Sequence, residues 1–83
     1  MKVAVRYFAS VREALGAGED VDVGAGADIA TLRDALVARG GRHAEALGRQ
    51  RVLRSARNRV LSAESTTLGD GDEVGFFPPL TGG

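Results

Sequence analysis

Few side chains in this sequence are spaced for chemistry. Histidine occurs once, at His43, so neither a paired-histidine nor another metal-ligating spacing exists. His43 reads as a surface or helix-end residue. There is no cysteine, which removes disulfides, thiolate metal sites, a cysteine nucleophile and a side-chain persulfide together. Asp20/Asp22 and Asp70/Asp72 are i, i+2 carboxylate pairs. The first lines the outer face of an expected strand and the second sits in an expected turn, so neither reads as an acid/base pair. "GAGED" and "GAGAD" lack the endings that cradle phosphate and read as turns. Catalysis by this chain's own side chains is poorly supported, and no bound metal or cofactor is expected. One reactive group remains, the α-carboxylate of Gly83, at the end of "EVGFFPPLTGG".

That ending has a physical logic. Proline cannot donate to a ladder, so Phe77-Pro78-Pro79 ends a strand. Each residue before a proline is pushed to extended backbone. The chain therefore divides into a domain over 1–77 and an extended tail over 78–83. Six residues from Pro78 reach roughly 20 Å when extended. The prolines lower the ordering cost of docking, about 1–2 kcal/mol per residue of free backbone. Gly82 and Gly83 carry no Cβ, so they fit a narrow tunnel and leave the terminal carboxylate unhindered. A frayed terminus that happens to be glycine is the plain alternative. The rigid lead-in and the element order below favour a tail that is used.

Elements must position that tail. In "KVAVRYFA", Val3, Val5 and Tyr7 share one face while Lys2, Ala4, Arg6 and Phe8 share the other, the period of a half-buried strand. "SVREALGAG" predicts a capped helical turn, with Ser10 and Glu13 as a capping box and Gly16 as its stop. "EDVDVG" alternates again, with Val21 and Val23 inward, beside the first strand. "DIATLRDALVARGG" predicts the main helix, capped by Asp28, with Ile29, Leu32, Ala35 and Leu36 as its apolar stripe and Gly40-Gly41 as its stop. "RHAEALG" predicts a further turn with Ala44 and Leu47 inward. Between Gln50 and Leu61 strand residues occur, but no register can be fixed. Gly69-Asp70-Gly71-Asp72 is turn chemistry, and Val74 and Phe76 then alternate with Gly75 and Phe77 in a last strand. Hairpin, helix, then strands is the order of an α+β roll. It predicts the β-grasp, or ubiquitin-like, fold: a mixed sheet of four to five strands with one main helix on one face, and the first and last strands adjacent at its centre. With Val3, Val5, Tyr7, Val74 and Phe76 facing the helix, Phe8 and Phe77 point away on neighbouring strands. Two phenylalanines on an open face beside the tail suggest an interface anchor.

Eighty-three residues make one domain with a modest core, burying a little over about 60% of the unfolded surface. No apolar run nears the roughly 18 residues of a membrane span and no signal peptide is evident, so a soluble, cytoplasmic protein without membrane contact is expected. Net charge is zero, which argues against a nucleic-acid partner. Arg42, Arg49, Arg51, Arg54, Arg57 and Arg59 nonetheless crowd one stretch. They fit either a solvated face or a basic patch for an acidic partner. No aromatic residue lies among them to stack on bases.

The whole chain resembles the MoaD family, the small sulfur-carrying subunits of molybdopterin synthase. "VRYFASVREALG", "TLRDAL", "ARNRVLS" and above all "GDEVGFFPPLTGG" carry the resemblance. It implies a carrier rather than an enzyme with its own catalytic side chains. A ubiquitin-activating-like adenylyltransferase, using ATP and magnesium, would adenylate Gly83, and a sulfur donor enzyme would leave a thiocarboxylate there. The sulfur would pass to cyclic pyranopterin monophosphate in the large synthase subunit, within the heterotetramer usual in the family. Gly82, Thr81, Leu80, Pro79, Pro78, Phe77 and Phe8 would contact partners, with Leu61 added through the family's hydrophobic patch. A ubiquitin-like protein modifier, or a carrier for thiamine or cysteine synthesis, remains as an alternative. The Pro78-Pro79 pair departs from the usual thiamine carriers. The arginine-rich stretch departs from the expected MoaD pattern.

Overall fold

Alternation and capping place most elements where the sequence expects them. The computed structural model describes residues 1–79, so the readings of Leu80, Thr81, Gly82 and Gly83 lie outside the described residues. The chain runs β1 (Lys2–Tyr7), α1 (Ala9–Leu15), β2 (Gly18–Asp22), α2 (Ile29–Val37), α3 (Gly41–Leu47), β3 (Arg54–Arg57), β4 (Val60–Leu61) and β5 (Glu73–Phe77). The five strands lie in the order β2-β1-β5-β3-β4. β1 pairs antiparallel with β2 and parallel with β5, setting Tyr7 beside Phe76. β3 closes the other side of β5, with Ser55 opposite Phe76 and Arg54 opposite Phe77. First and last strands are thus neighbours inside the sheet, and the ubiquitin-like β-grasp expectation holds.

The helices cover one face. Val3, Val5, Tyr7, Val74 and Phe76 are all essentially buried, as are Ile29, Leu32, Leu36 and Leu47, and together they form the core. Asp28 caps α2 through Oδ1, which accepts the Thr31 N–H at 2.8 Å.

Several expectations need correction. The helical layer is three helices, because the stretches read as turns become the seven-residue α1 and α3. Ser10 is not an N-cap. Phe8 occupies that position without a side-chain bond, and Ser10 lies inside α1. Ala35 is exposed, and its expected place in the α2 stripe is taken by Arg33. In α3 it is Ala46 and Leu47 that are buried, while Ala44 is only partly covered.

Arg33 is 3% exposed, and each of its three guanidinium nitrogens donates a hydrogen bond. Its Nε donates to the Leu47 carbonyl at 2.7 Å, Nη2 to the carbonyls of Gly48 and Arg51 at 2.9 Å, and Nη1 to Glu64 Oε2 at 2.7 Å. One cation thereby gathers the loop after α3, adding a second donor to the Gly48 carbonyl, which also accepts the Arg51 N–H at 2.9 Å, and supplying a donor to the carbonyls of Leu47 and Arg51.

Candidate functional site

β5 is an interior strand, so its last residue sits over the middle of the open sheet face. Phe76 points into the core and Phe77 out. Phe8 reaches the same face because the chain turns sharply after β1. Ala9 adopts φ 52°, a left-handed conformation unusual for a residue with a side chain, and the Phe8 N–H donates to the Phe76 carbonyl at 3.2 Å. The Phe8 and Phe77 rings meet edge to face at 6.4 Å and 83°. Phe8 lies over Gly75, where a Cβ would stand 3.0 Å from Phe8 Cε2. Glycine at 75 therefore lets the ring lie against the backbone of β5.

Phe8 remains 47% exposed and Leu61 63% exposed. Leu61, set opposite Ala56 across the β3–β4 pairing, completes the patch. Phe8, Ala9, Ala56, Leu61, Gly75, Phe77, Pro78 and Pro79 line one shallow groove of about 620 Å³, with Arg59 and Glu73 at its polar border. The structure thus gathers Phe8, Leu61, Phe77, Pro78 and Pro79, the site residues expected from sequence that fall among the described residues. Ala9, Ala56, Gly75 and Arg59 were missed. A glycine on the open face of β5, the face that Phe8 and Phe77 share, was the available signal for Gly75. The Asn58-Arg59 turn was the signal for Arg59.

The other candidates resolve into structural roles. Asp72 Oδ2 accepts from Arg57 Nε and the Gly69 N–H at 2.7 Å each, and its Oδ1 accepts from Asn58 Nδ2 at 3.1 Å. The Arg57 bond, then the Gly69 and Asn58 bonds, hold its carboxyl down at about 2. Asp70 Oδ1 accepts the Lys2 N–H at 2.7 Å. Both aspartates therefore organise the turn that starts β5. His43 Nε2 donates to Glu19 Oε2, 2.8 Å away, and the buried Tyr7 hydroxyl donates to the same oxygen at 2.8 Å. Arg39 also bonds Glu19. Burial works to raise the Glu19 carboxyl, but these three partners outweigh it and hold it at about 2. Burial, then the Glu19 bond and charge, push the Tyr7 phenol up. This cluster ties β1, β2 and α3 together on the far side from the groove. Among the described residues no group of three or more His, Cys, Asp or Glu could hold a metal, and no helix is long and apolar enough to cross a membrane.

The arginine-rich stretch divides. Arg49 bonds Asp34 and Glu64, and Arg57 bonds Asp72. Arg42 and Arg54 make no ion pair among the described residues.

A ubiquitin-like β-grasp domain whose central strand runs out beside an exposed aromatic patch defines a small carrier or modifier class of protein. The chain belongs to the ThiS family, whose model matches residues 5–83, and within it to the molybdopterin synthase sulfur carrier subunits. It is 40% identical over 85 residues to the molybdopterin synthase sulfur carrier subunit of Mycobacterium tuberculosis, covering 100% of this chain and 99% of that protein. A solved protein–protein complex of subunits 1 and 2 of molybdopterin-converting factor from Helicobacter pylori contains a similar chain, with TM-score 0.69, 31% identity and 100% of both chains covered. The small archaeal modifier protein 1 of Haloferax volcanii matches with TM-score 0.77 and 27% identity, over 95% of this chain and 98% of that one.

Proposed function

We propose that this chain carries sulfur on the Gly83 carboxylate, as the small subunit of molybdopterin synthase. The observation that carries the reading is the placement of Pro78 and Pro79 at the end of an interior strand, against the Phe8–Leu61–Phe77 patch. A partner seated on that patch receives the tail over 78–83 in a fixed direction. The large synthase subunit is that partner, by likeness to the Helicobacter pylori complex, in the heterotetramer usual in the family.

The chemistry requires two activations. A Gly83 carboxylate oxygen attacks the α-phosphorus of ATP, held with magnesium by an adenylyltransferase in the cytoplasm, and pyrophosphate leaves. The acyl-adenylate is then open to a sulfur nucleophile, which bonds the acyl carbon as AMP departs. The thiocarboxylate sulfur bonds a carbon of cyclic pyranopterin monophosphate, and water then cleaves the acyl C–S bond, so the sulfur stays on the pterin and Gly83 returns as carboxylate. Two such transfers supply the dithiolene. The absence of cysteine from the sequence agrees, since no side chain here can hold the sulfur.

The experiment is reconstitution with the large subunit. Deleting Gly83 sets the acyl carbon roughly 3.5 Å short, and even about 1 Å of misplacement can cost about a hundredfold in rate. Extending the chain by one alanine should fail likewise, while the urea midpoint stays near that of the parent. Product formed at the parent rate by either variant overturns the reading. The likeness to a small archaeal modifier protein favours a second reading, attachment through Gly83 to lysines of other proteins. Isopeptide conjugates in lysate would support it. The 40% identity to a sulfur carrier along the whole chain favours the first.

A further inference from the structure

The β3–β4 hairpin turns through Asn58 and Arg59, with φ 49° and 68°. Two successive positive φ values make the mirror-image turn whose second position favours glycine. Asn58 is held there by its own bonds. Its Nδ2 donates to Asp72, its Oδ1 accepts the Glu73 N–H at 2.9 Å, and its N–H donates to the Glu73 carbonyl at 2.8 Å. Arg59 has nothing comparable. Its one side-chain bond among the described residues is Nε to Glu73 Oε1 at a long 3.4 Å, and its side chain is 83% exposed. A long cation thus occupies a glycine position without any contact in the fold that requires it. Strain kept without structural return marks a functional position.

Its surroundings show what it could serve. Arg59 borders the Phe8–Phe77 groove. Arg6 and Arg12 lie beside it around Phe8, and Arg54 stands opposite Phe77. Among the described residues that line the groove and its flank around Phe8, the only carboxylate is Glu73, which Arg6 and Arg59 share at 3.6 and 3.4 Å. Arg12, like Arg54, makes no ion pair among the described residues. Among the described residues, an apolar centre therefore carries three guanidinium groups at its border against one carboxylate, with a fourth, Arg54, opposite Phe77 on β3, on a chain whose net charge is zero.

We propose that Arg59 is a docking residue that engages a carboxylate on the large synthase subunit, and that Arg6, Arg12 and Arg54 extend this into a basic border meeting an acidic rim. The inference rests on the sulfur-carrier reading, and the large subunit is the occupant because the basic border is continuous with the patch on which that subunit seats. Rim charges steer encounter more than they hold the complex, so the signature is a salt-dependent association rate.

The test uses the full-length carrier and purified large subunit, with association followed by stopped flow at about 0.05 M and about 1 M salt, where the screening length falls to about 3 Å. Arg59→Gly should keep or raise the urea midpoint, slow association about five- to tenfold at low salt, and match the parent at high salt. Arg59→Lys, which keeps the charge at the same φ, should retain most of the rate. A parent-like rate for Arg59→Gly at low salt overturns the proposal. So does a deficit that persists at high salt, or a lowered urea midpoint. Phe77→Ala separates the two levels. If it too binds normally, the docking-face reading fails; if it alone binds weakly, only the role of Arg59 fails.

Discussion

Phe76 and Phe77 are adjacent in sequence and opposite in consequence. Phe76 is fully buried between the sheet and the helices. Truncating it to alanine removes a core aromatic side chain and leaves a cavity, at about 3–5 kcal/mol. Against a total stability of about 4–12 kcal/mol for a domain of this length, that is a large fraction. Phe77 is only partly covered, and its aromatic partner is Phe8 at 6.4 Å. Losing that edge-to-face contact is worth about 0.5–1.5 kcal/mol beyond the area involved. Phe77→Ala should therefore fold nearly as well as the parent. Its binding to the large subunit should fall, because a central aromatic anchor is worth about 2 kcal/mol or more, about thirtyfold in Kd. Urea titration of both variants and calorimetric titration with the large subunit read the two quantities separately. If Phe77→Ala shifts the urea midpoint as far as Phe76→Ala, or binds with parent affinity, the assignment of the two faces is wrong.

Three further perturbations follow from the same contacts. Arg33→Met should cost about 3–5 kcal/mol in urea titration, because the carbonyls of Leu47 and Arg51 lose the Arg33 donor, that of Gly48 keeps only the Arg51 N–H, and Glu64 loses one of its two cations; a loss under about 1 kcal/mol would show that the loop satisfies itself without the cation. Gly18→Ala should destabilise by about 1–3 kcal/mol, since its Cβ would stand 2.2 Å from the Val5 carbonyl oxygen and the β1–β2 pairing must shift; hydrogen exchange along β2 would report it, and unchanged protection there would refute it. Glu19 and Asp72 both sit near 2 when folded, below their ordinary 4.5 and 3.8, so the folded state binds fewer protons. Their stabilisation is complete above about pH 4.5 and is lost as pH falls toward 2. The thermal midpoint should drop across that window, and a flat profile there would contradict both carboxylate networks.

The sequence made β1, β2, α2 and β5 legible because their side chains obey one period and their ends carry recognisable caps. The same alternation placed Phe8 and Phe77 on the open face correctly. It failed where a local rule was overridden. The Ser10–Glu13 pattern looked like a capping box, but Phe8 and the left-handed Ala9 begin α1 two residues earlier, a turn that no propensity suggests. Arg33 has the residue type of a solvent face, and only the convergence of loop carbonyls makes its burial tolerable. β3 and β4 span four and two residues, too short to show a period, and their neighbours are arginines whose partners are distant in sequence. The groove itself was only half legible: aromatic and proline residues announced it, whereas Gly75 and Ala56 matter through the space they leave.

The central claim is that sulfur travels on Gly83. The most direct measurement is the intact mass of the full-length chain after incubation with ATP, magnesium, an adenylyltransferase and a sulfur source. The account predicts a gain equal to one oxygen replaced by one sulfur, absent when ATP is omitted and absent from the chain lacking Gly83. An unchanged mass under conditions in which AMP is released, or the same gain on the chain without Gly83, would contradict it.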